Sequence, residues 1–323
     1  MKSVKIRDTI IGNGAKIAIQ SMLNVPTTDT GAAIDCILRL ADEGCDIIRL
    51  AVPDAAAARA MKEITAASPI PVVADIHFDY RLALACIDNG VDKIRINPGN
   101  LGGADKAAAV AKAANAAKIP IRIGINGGSL EKGLLERCGG DLALAMVESA
   151  QGHIDILNRC DFNDIVLSMK SSDVKTTIRA YRLAHERFDY PLHLGVTEAG
   201  TTESGIVKSA IGIGALLADG IGDTIRVSLT DDPIEEVKAA KLILQSLDLY
   251  GDYVNIVSCP TCGRTKIDLI SIANAVRRKI GNLPVKLKVA VMGCVVNGPG
   301  EAADADIGIA GGDGCAVLFR RGK

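Results

Sequence analysis

Eight short runs rich in Ile, Val and Leu alternate with Ala-rich, helix-patterned stretches over about the first 240 residues of the chain. No other feature narrows the fold as much. The runs are KIAIQSM, DIIRLAV, PVVADIH, DKIRINP, PIRIGIN, DIVLSMK, PLHLGVT and DTIRVSL. Between them lie segments such as TGAAIDCILRLADEG, DAAAARAMKEITAAS and VKTTIRAYRLAHERF, whose apolar residues recur at helical spacing with charges on the opposite face. Strands that read as buried on both faces and are each followed by a helix belong to a parallel sheet. Eight such units predict a closed (β/α)8 TIM barrel, with an open doubly wound sheet as the competing arrangement.

The polar residues fall late in these runs, and a barrel places its active site at the C-terminal ends of its strands. Arg49 closes the second run, Asp75 and His77 the third, Arg95 and Asn97 the fourth, and Arg122 and Asn126 the fifth. Lys170, Glu198, Arg226 and Ser228 close or follow the last three. Side chains alternate faces along a strand, so Asp75 and His77, Arg95 and Asn97, and Arg226 and Ser228 should each point the same way. The resulting mouth sets Arg49, Arg95, Arg122, Lys170 and Arg226 against Asp75 and Glu198, in a chain whose formal net charge is only -1. Burying guanidinium groups without partners is costly, so such a mouth is expected to hold a polyanion, most simply a diphosphate. The Gly-rich turns NPGNLGG and NGGSL can add backbone N–H groups. Lys170 could alternatively serve as a Schiff-base lysine. His193 reads as a core histidine, and His153 and His185 as surface residues on helices.

Balanced charge, an aromatic share of 3% and the lack of Trp argue against a nucleic-acid or membrane-surface partner. MKSVKIRDTI has no apolar leader-like core, so the expected location is the cytoplasm. In a reducing compartment nine cysteines are not a disulfide framework. Cys36, Cys45, Cys86, Cys138 and Cys160 sit in helical patterns or at their ends and read as packing residues.

The chain divides into a barrel over 1–249 and a small α+β unit over 250–323. The second unit reads as strand (VNIVS), helix (IDLISIANAVRRKIG), strand (KLKVAVM) and an Ile/Gly-rich hairpin. It carries Cys259 and Cys262 in SCPTCGR, and Cys294 with Glu301 seven residues later in VMGCVVNGPGE. Three thiolates satisfy three corners of a [4Fe-4S] cube, and a carboxylate leaves the fourth iron on a weak, replaceable oxygen donor. Zinc is the competing reading, but a zinc ribbon pairs one Cys-x-x-Cys with another, whereas Cys294 is solitary and Cys315 lies in an apolar strand pattern. Two other classes remain at this point: a redox-inactive barrel enzyme of the aldolase or pterin-synthase kind with a zinc-stabilised tail, and an electron carrier. A carrier has no need of a cation-rimmed barrel.

CPTCGR and GCVVNGPGE, with VADIHFDYRLA, IRINPGN, HLGVTEAG and IRVSLT in that order, resemble the 4-hydroxy-3-methylbut-2-enyl diphosphate synthase family over essentially the whole chain. The resemblance implies an iron-sulfur enzyme of the methylerythritol phosphate route to isoprenoids. Its substrate would be 2-C-methyl-D-erythritol 2,4-cyclodiphosphate, opened by a two-electron reductive dehydration. It implies that Cys259, Cys262, Cys294 and Glu301 hold a [4Fe-4S] cluster. It further implies that Arg49, His77, Arg95, Arg122, Lys170, Arg226 and Ser228 bind the diphosphate, with Asp75, Asn97, Asn126 and Glu198 near the carbon skeleton. Glu301 and Glu198 are the candidate proton donors, and reduced ferredoxin or flavodoxin the implied electron source. Where many members carry a further helical tail this sequence ends at FRRGK, and it has no room for the domain that some members insert.

The helix after the eighth strand should end at the bottom of the barrel, with only a short linker to the second unit. A two-fold homodimer, each cluster unit covering its partner's mouth, is therefore expected, and the family is similar in this respect.

Overall fold

The computed structural model describes residues 2–97, 101, 103–281, 283–295, 300 and 302–321, which form two compact units, Met1–Leu247 and Asp248–Lys323. In the first, the eight runs become β3 (Ala18–Met22), β4 (Ile47–Ala51), β5 (Val72–Asp75), β6 (Lys93–Ile96), β7 (Ile121–Asn126), β8 (Ile165–Lys170), β9 (His193–Leu194) and β10 (Thr224–Ile225). They pair in parallel in the order β8-β7-β6-β5-β4-β3-β10-β9. A parallel bridge between Leu167 and Leu192, with the Leu167 amide donating to the Pro191 carbonyl at 2.9 Å, joins β8 to the start of β9 and closes the ring.

The helices are α1 (Thr30–Glu43), α2 (Ala55–Ala67), α3 (Tyr80–Asp88), α4 (Ala104–Ala117), the short α5 (Leu134–Arg137), α6 (Leu142–Asn158), α7 (Val174–Arg187), α8 (Thr202–Ala218) and α9 (Pro233–Ser246). Most begin with the same device. Asp29, Asp54, Asp79, Asp141, Asp173 and Asp232 each accept a backbone N–H of the first helical turn. Pro233 follows its cap, where its missing N–H is no loss. The outward face of the strands, including Ile48, Leu50, Ile94, Ile96, Ile121, Ile123, Leu167 and Leu194, is fully buried beneath the helices.

Residues ahead of the first run form a hairpin of β1 (Val4–Ile6) and β2 (Thr9–Ile11), a feature without a counterpart in the strand pattern read above. Val4, Ile6 and Ile11 cluster with Ala18, Ile47, Val73 and Val166, which lie at the N-terminal ends of their strands. The hairpin thus stoppers the bottom of the barrel with an apolar plug, leaving the polar residues above it open only at the other end. His153, expected on the surface, is 3% exposed because α6 buries residues nearly all round; its Nε2 lies 3.0 Å from Glu131.

The second unit carries β11 (Val254–Ser258), α10 (Leu269–Ile280), β12 (Leu287–Met292), β13 (Ile307–Gly311) and β14 (Ala316–Phe319). The sheet runs β11-β12-β13-β14, parallel except for the final antiparallel hairpin. Its small core is Ala290, Met292, Ala302, Ala305, Ala310 and Phe319. Gly308 pairs directly with Phe319 and lies under its ring, where a Cβ would meet ring carbon Cζ at 2.2 Å, so the Gly in IGIAGG is the seat of the aromatic.

Truncating the plug by Ile11→Ala should cost about 2–5 kcal/mol, read as a lowered urea midpoint. The neighbouring Ile10→Ala, at a side chain 56% exposed, should cost little. Equal effects would contradict a plug.

Candidate functional site

Above the plug the inward residues turn from apolar to basic. Register fixes this layer: Asp75 pairs with Arg95 across β5 and β6, Arg95 with Arg122 across β6 and β7, and Asn126 with Lys170 across β7 and β8. Partners in register on neighbouring strands share a face, so these side chains point into the barrel interior together.

Asp75 is the buried hub, 3% exposed. Arg95 Nη1 donates to its carboxylate at 3.0 Å, Arg49 Nε lies 3.7 Å away and His77 Nε2 3.4 Å. Burial alone would raise the Asp75 carboxyl, but Arg49, the hydrogen bond from His77 and Arg95 together outweigh it and hold it well below the ordinary carboxylate range. Arg49 also leans on Met22 Sδ, 2.7 Å from Nη2. His77 itself is half exposed.

Arg122 is 1% exposed and donates from Nη1 to Ser168 Oγ at 3.1 Å. Its Nε and Nη2, and Nε of Arg95, have no hydrogen-bond partner among the described residues. Burial, then Arg49 and Arg95, push the Arg122 guanidinium well below its ordinary value. A guanidinium does not give up its proton near neutrality, so only added negative charge could relieve that pressure. Lys170 is 7% exposed and is pushed down by burial and by Arg122 and Arg226. Its Nζ lies 3.3 Å from Nε2 of His193, whose Nδ1 is 2.7 Å from Thr224 Oγ1.

Arg226 is differently placed. Glu236 of α9, 3% exposed, takes Arg226 Nη2 at 2.9 Å and Nε at 3.3 Å, and also accepts from Ser21 Oγ and the Leu229 amide. The arginine is thus fixed by a carboxylate that the strand pattern did not reveal, although Glu236 shares the buried helix face with Ala240 and Ile243. Lys93 was missed as well. It is fully buried, two residues before Arg95 on β6, and its Nζ has Gln20 Oε1 at 3.4 Å; the alternation that picked Arg95 also places Lys93 inward.

Two glycines, Gly124 in β7 and Gly195 just past β9, make room for these cations. A Cβ at Gly124 would lie 2.4 Å from Arg95 Nε, and one at Gly195 would lie 2.6 Å from Lys170 Nζ. Asn97 is buried, Asn126 and Ser228 are partly exposed at their strand ends, and Glu198 is exposed with φ of 52°, a left-handed conformation just beyond β9. Of the turn NPGNLGG, Pro98 to Asn100 and Gly102 lie outside the described residues.

In the second unit, Cys259 directly follows β11, and Cys294 lies two residues past the end of its parallel neighbour β12, so both leave the same edge of the sheet. The Gly293 amide donates to Cys259 Sγ at 3.1 Å, and the Lys266 amide to the Gly293 carbonyl at 2.9 Å, lacing the two loops together. Cys262, exposed in the same loop, has its thiol lowered by the Arg264 amide and side chain. Glu301 lies outside the described residues. Among the described residues no three His, Cys, Asp or Glu side chains gather on a single ion. A cube takes each thiolate on a different iron, and three sulfur donors on adjoining loops, one already accepting a backbone N–H, suit that chemistry.

Residues 1–241 match the family described as the GcpE TIM-barrel domain, and residues 255–323 that described as the GcpE protein C-terminal domain. A 4-hydroxy-3-methylbut-2-en-1-yl diphosphate synthase (flavodoxin) of Ruminiclostridium cellulolyticum is 57% identical over 322 residues, covering 100% of this chain and 91% of the relative. The enzyme of the same name from Clostridium tetani is 55% identical over 320 residues, covering 99% and 92%. Among solved structures, dihydropteroate synthase from Stenotrophomonas maltophilia superposes with a TM-score of 0.55 at 14% identity, covering 77% of this chain and 98% of that one. That likeness bears on the barrel fold alone.

The depressed Asp75 carboxyl has a consequence for stability. Its contribution is fully present above the unfolded carboxylate value of about 4 and is lost as pH falls toward the folded value. Urea midpoints of the wild type should therefore fall more steeply below pH 4 than those of Asp75→Asn, which should be less stable at pH 7 because Arg95 and Arg49 lose their carboxylate. Parallel curves would refute this.

Proposed function

The chain belongs to the 4-hydroxy-3-methylbut-2-en-1-yl diphosphate synthase family, and from that premise we propose that its barrel binds 2-C-methyl-D-erythritol 2,4-cyclodiphosphate and reduces it to 4-hydroxy-3-methylbut-2-enyl diphosphate. The observation that carries the reading is a barrel interior whose basic groups, Arg49, Lys93, Arg95, Arg122, Lys170 and Arg226, outnumber the carboxylates of Asp75 and Glu236. A diphosphate supplies the missing negative charge. Arg122 Nε and Nη2 and Arg95 Nε are buried with no hydrogen-bond partner among the described residues, donors that phosphate oxygens would satisfy.

In this reading Arg49, Arg95, Arg122, Lys170 and Arg226 clamp the phosphates, with His77 and Ser228 at the rim. Asp75 and Glu236 hold Arg95 and Arg226 at fixed angles, so little reorganisation accompanies binding. Asn97 and Asn126, on the inward face one step above Arg95 and Gly124, are placed to orient the carbon skeleton. Glu198, at the rim, is the proposed proton donor on the barrel side, and Glu301 a second.

Cys259, Cys262, Cys294 and Glu301 would hold the [4Fe-4S] cluster. When bound, that cluster supplies electrons one at a time and a Lewis-acidic iron. In balance, two electrons and protons enter, the ring C–O bond to phosphate breaks and water leaves. Flavodoxin, present in the relatives' names, is the proposed donor, with ferredoxin serving the same role. Among the described residues no helix is long and apolar enough to cross a membrane, in keeping with a proposed cytoplasmic site of action.

We also propose a two-fold homodimer in which each cluster unit serves its partner's barrel. It is supported by α9, whose 14 residues carry the chain about 21 Å away from the mouth before the second unit begins. The aldolase and pterin-synthase alternative has no support from the full-length relatives.

The test is anaerobic turnover of the cyclic diphosphate with a reduced flavodoxin. Brown, iron- and sulfide-containing wild type should be active, Arg226→Ala and Cys294→Ser homodimers should each lose at least 100-fold, and mixing the two variants should restore part of the activity. A colourless, iron-free protein would overturn the cluster, and no recovery on mixing would overturn the shared site.

A further inference from the structure

We propose that His193 is a positioning residue for Lys170 and that, backed by Thr224, the Lys170–His193 pair takes up one proton from solvent when the diphosphate enters. The inference rests on the reading of the barrel as a diphosphate site.

The pair is sealed in the barrel wall. His193 is fully buried and Lys170 7% exposed, and their facing nitrogens are 3.3 Å apart. At that distance an ammonium and an imidazolium repel, so at most one proton bridges the contact, donated by Lys170 Nζ to Nε2 or by Nε2 to a neutral amine. Gly195 permits this closeness, because a side chain there would displace Nζ. The backbone beneath the ring is fixed too: Tyr181 of α7 donates its hydroxyl to the His193 carbonyl at 2.5 Å and accepts the Met169 amide at 3.1 Å.

The group behind the imidazole decides what the pair can do. A carboxylate on Nδ1 would fix the Nδ1–H tautomer and bias the ring toward the cation. Thr224 Oγ1, at 2.7 Å, can either donate to Nδ1 or accept from it, so both ring tautomers and the charged ring are equally well served. The arrangement permits protonation without imposing it.

The surroundings keep the empty pair short of protons. Facing it are Arg122 from β7, Lys93 and Arg95 from β6, Arg49 from β4 and Arg226 directly after β10, all basic. The buried carboxylates nearby are already engaged, Asp75 with Arg49 and Arg95 and Glu236 with Arg226. Burial and this cationic field push both Lys170 and His193 well below their ordinary values. The arginines cannot respond by losing protons; Lys170 and His193 can. A diphosphate reverses the field and draws a proton back, so its binding should strengthen as pH falls toward the range where the pair is already charged.

Titration calorimetry of the oxygen-protected holoenzyme, without reductant, tests this with the cyclic diphosphate. Each phosphorus of that ligand carries a single strongly acidic proton, so the ligand contributes no titration near neutrality. Run over a pH series in two buffers of different ionisation enthalpy, wild type should show net proton uptake of up to one per site on binding, with affinity falling by as much as tenfold per pH unit as pH rises. His193→Gln, which keeps a hydrogen bond to Lys170 but leaves Lys170 as the one titrating member of the pair, should bind with that uptake measurably reduced. Thr224→Ser should retain the uptake, and Thr224→Val should lose it, which decides the matter if His193→Gln fails to fold. Binding by wild type without proton uptake, or equal uptake in His193→Gln or Thr224→Val, would overturn the inference and leave the diphosphate reading standing. Absence of any binding would overturn both.

Discussion

Uncompensated positive charge inside a closed barrel is the constraint on which the rest of this structure turns. Arg49, Lys93, Arg95, Arg122, Lys170 and Arg226 are packed into a wall that provides Asp75 and Glu236 as buried counter-charges. An isolated charge in such a place costs several kcal/mol, and guanidinium groups cannot escape by deprotonation. The fold offsets part of the strain by spreading two carboxylates over three arginines and by setting Lys170 against the buried His193 ring. A chain with balanced overall charge has thus concentrated its cations where a polyanion can discharge them.

The barrel was legible because parallel strands buried on both faces leave a plain signal, and the period of two placed Asp75, Arg95, Arg122 and Lys170 on one face. The same rule applied one step earlier would have found Lys93, and one step later Gly124, whose missing side chain admits Arg95. Other features were not readable in this way. Glu236 reaches Arg226 from a helix, a tertiary contact that strand periodicity cannot encode. The plug is a hairpin of two three-residue strands, too short to stand out from a polar N-terminus. His153 misled because α6 is buried on several faces, so one polar residue on it gives no guide to exposure.

The second unit was legible for a different reason. Its cysteines are chemically distinctive, and their spacing placed them ahead of any geometry. The sheet then explains the spacing: β11 and β12 are parallel neighbours, so loops leaving their C-terminal ends adjoin even though Cys262 and Cys294 are far apart in sequence. The Gly293 amide on Cys259 ties these loops before any cluster is considered. Relatives above 50% identity match the chain across both units.

The account is tested most directly by the thermal midpoint of the holoenzyme, measured with and without the cyclic diphosphate at matched ionic strength. Ligand at 100 times its dissociation constant should stabilise the native state by about 2.7 kcal/mol, raising the midpoint by roughly 4 °C, with the gain abolished in Arg122→Met. An unchanged midpoint, or an equal gain from simple salt, would contradict a barrel built to hold a diphosphate.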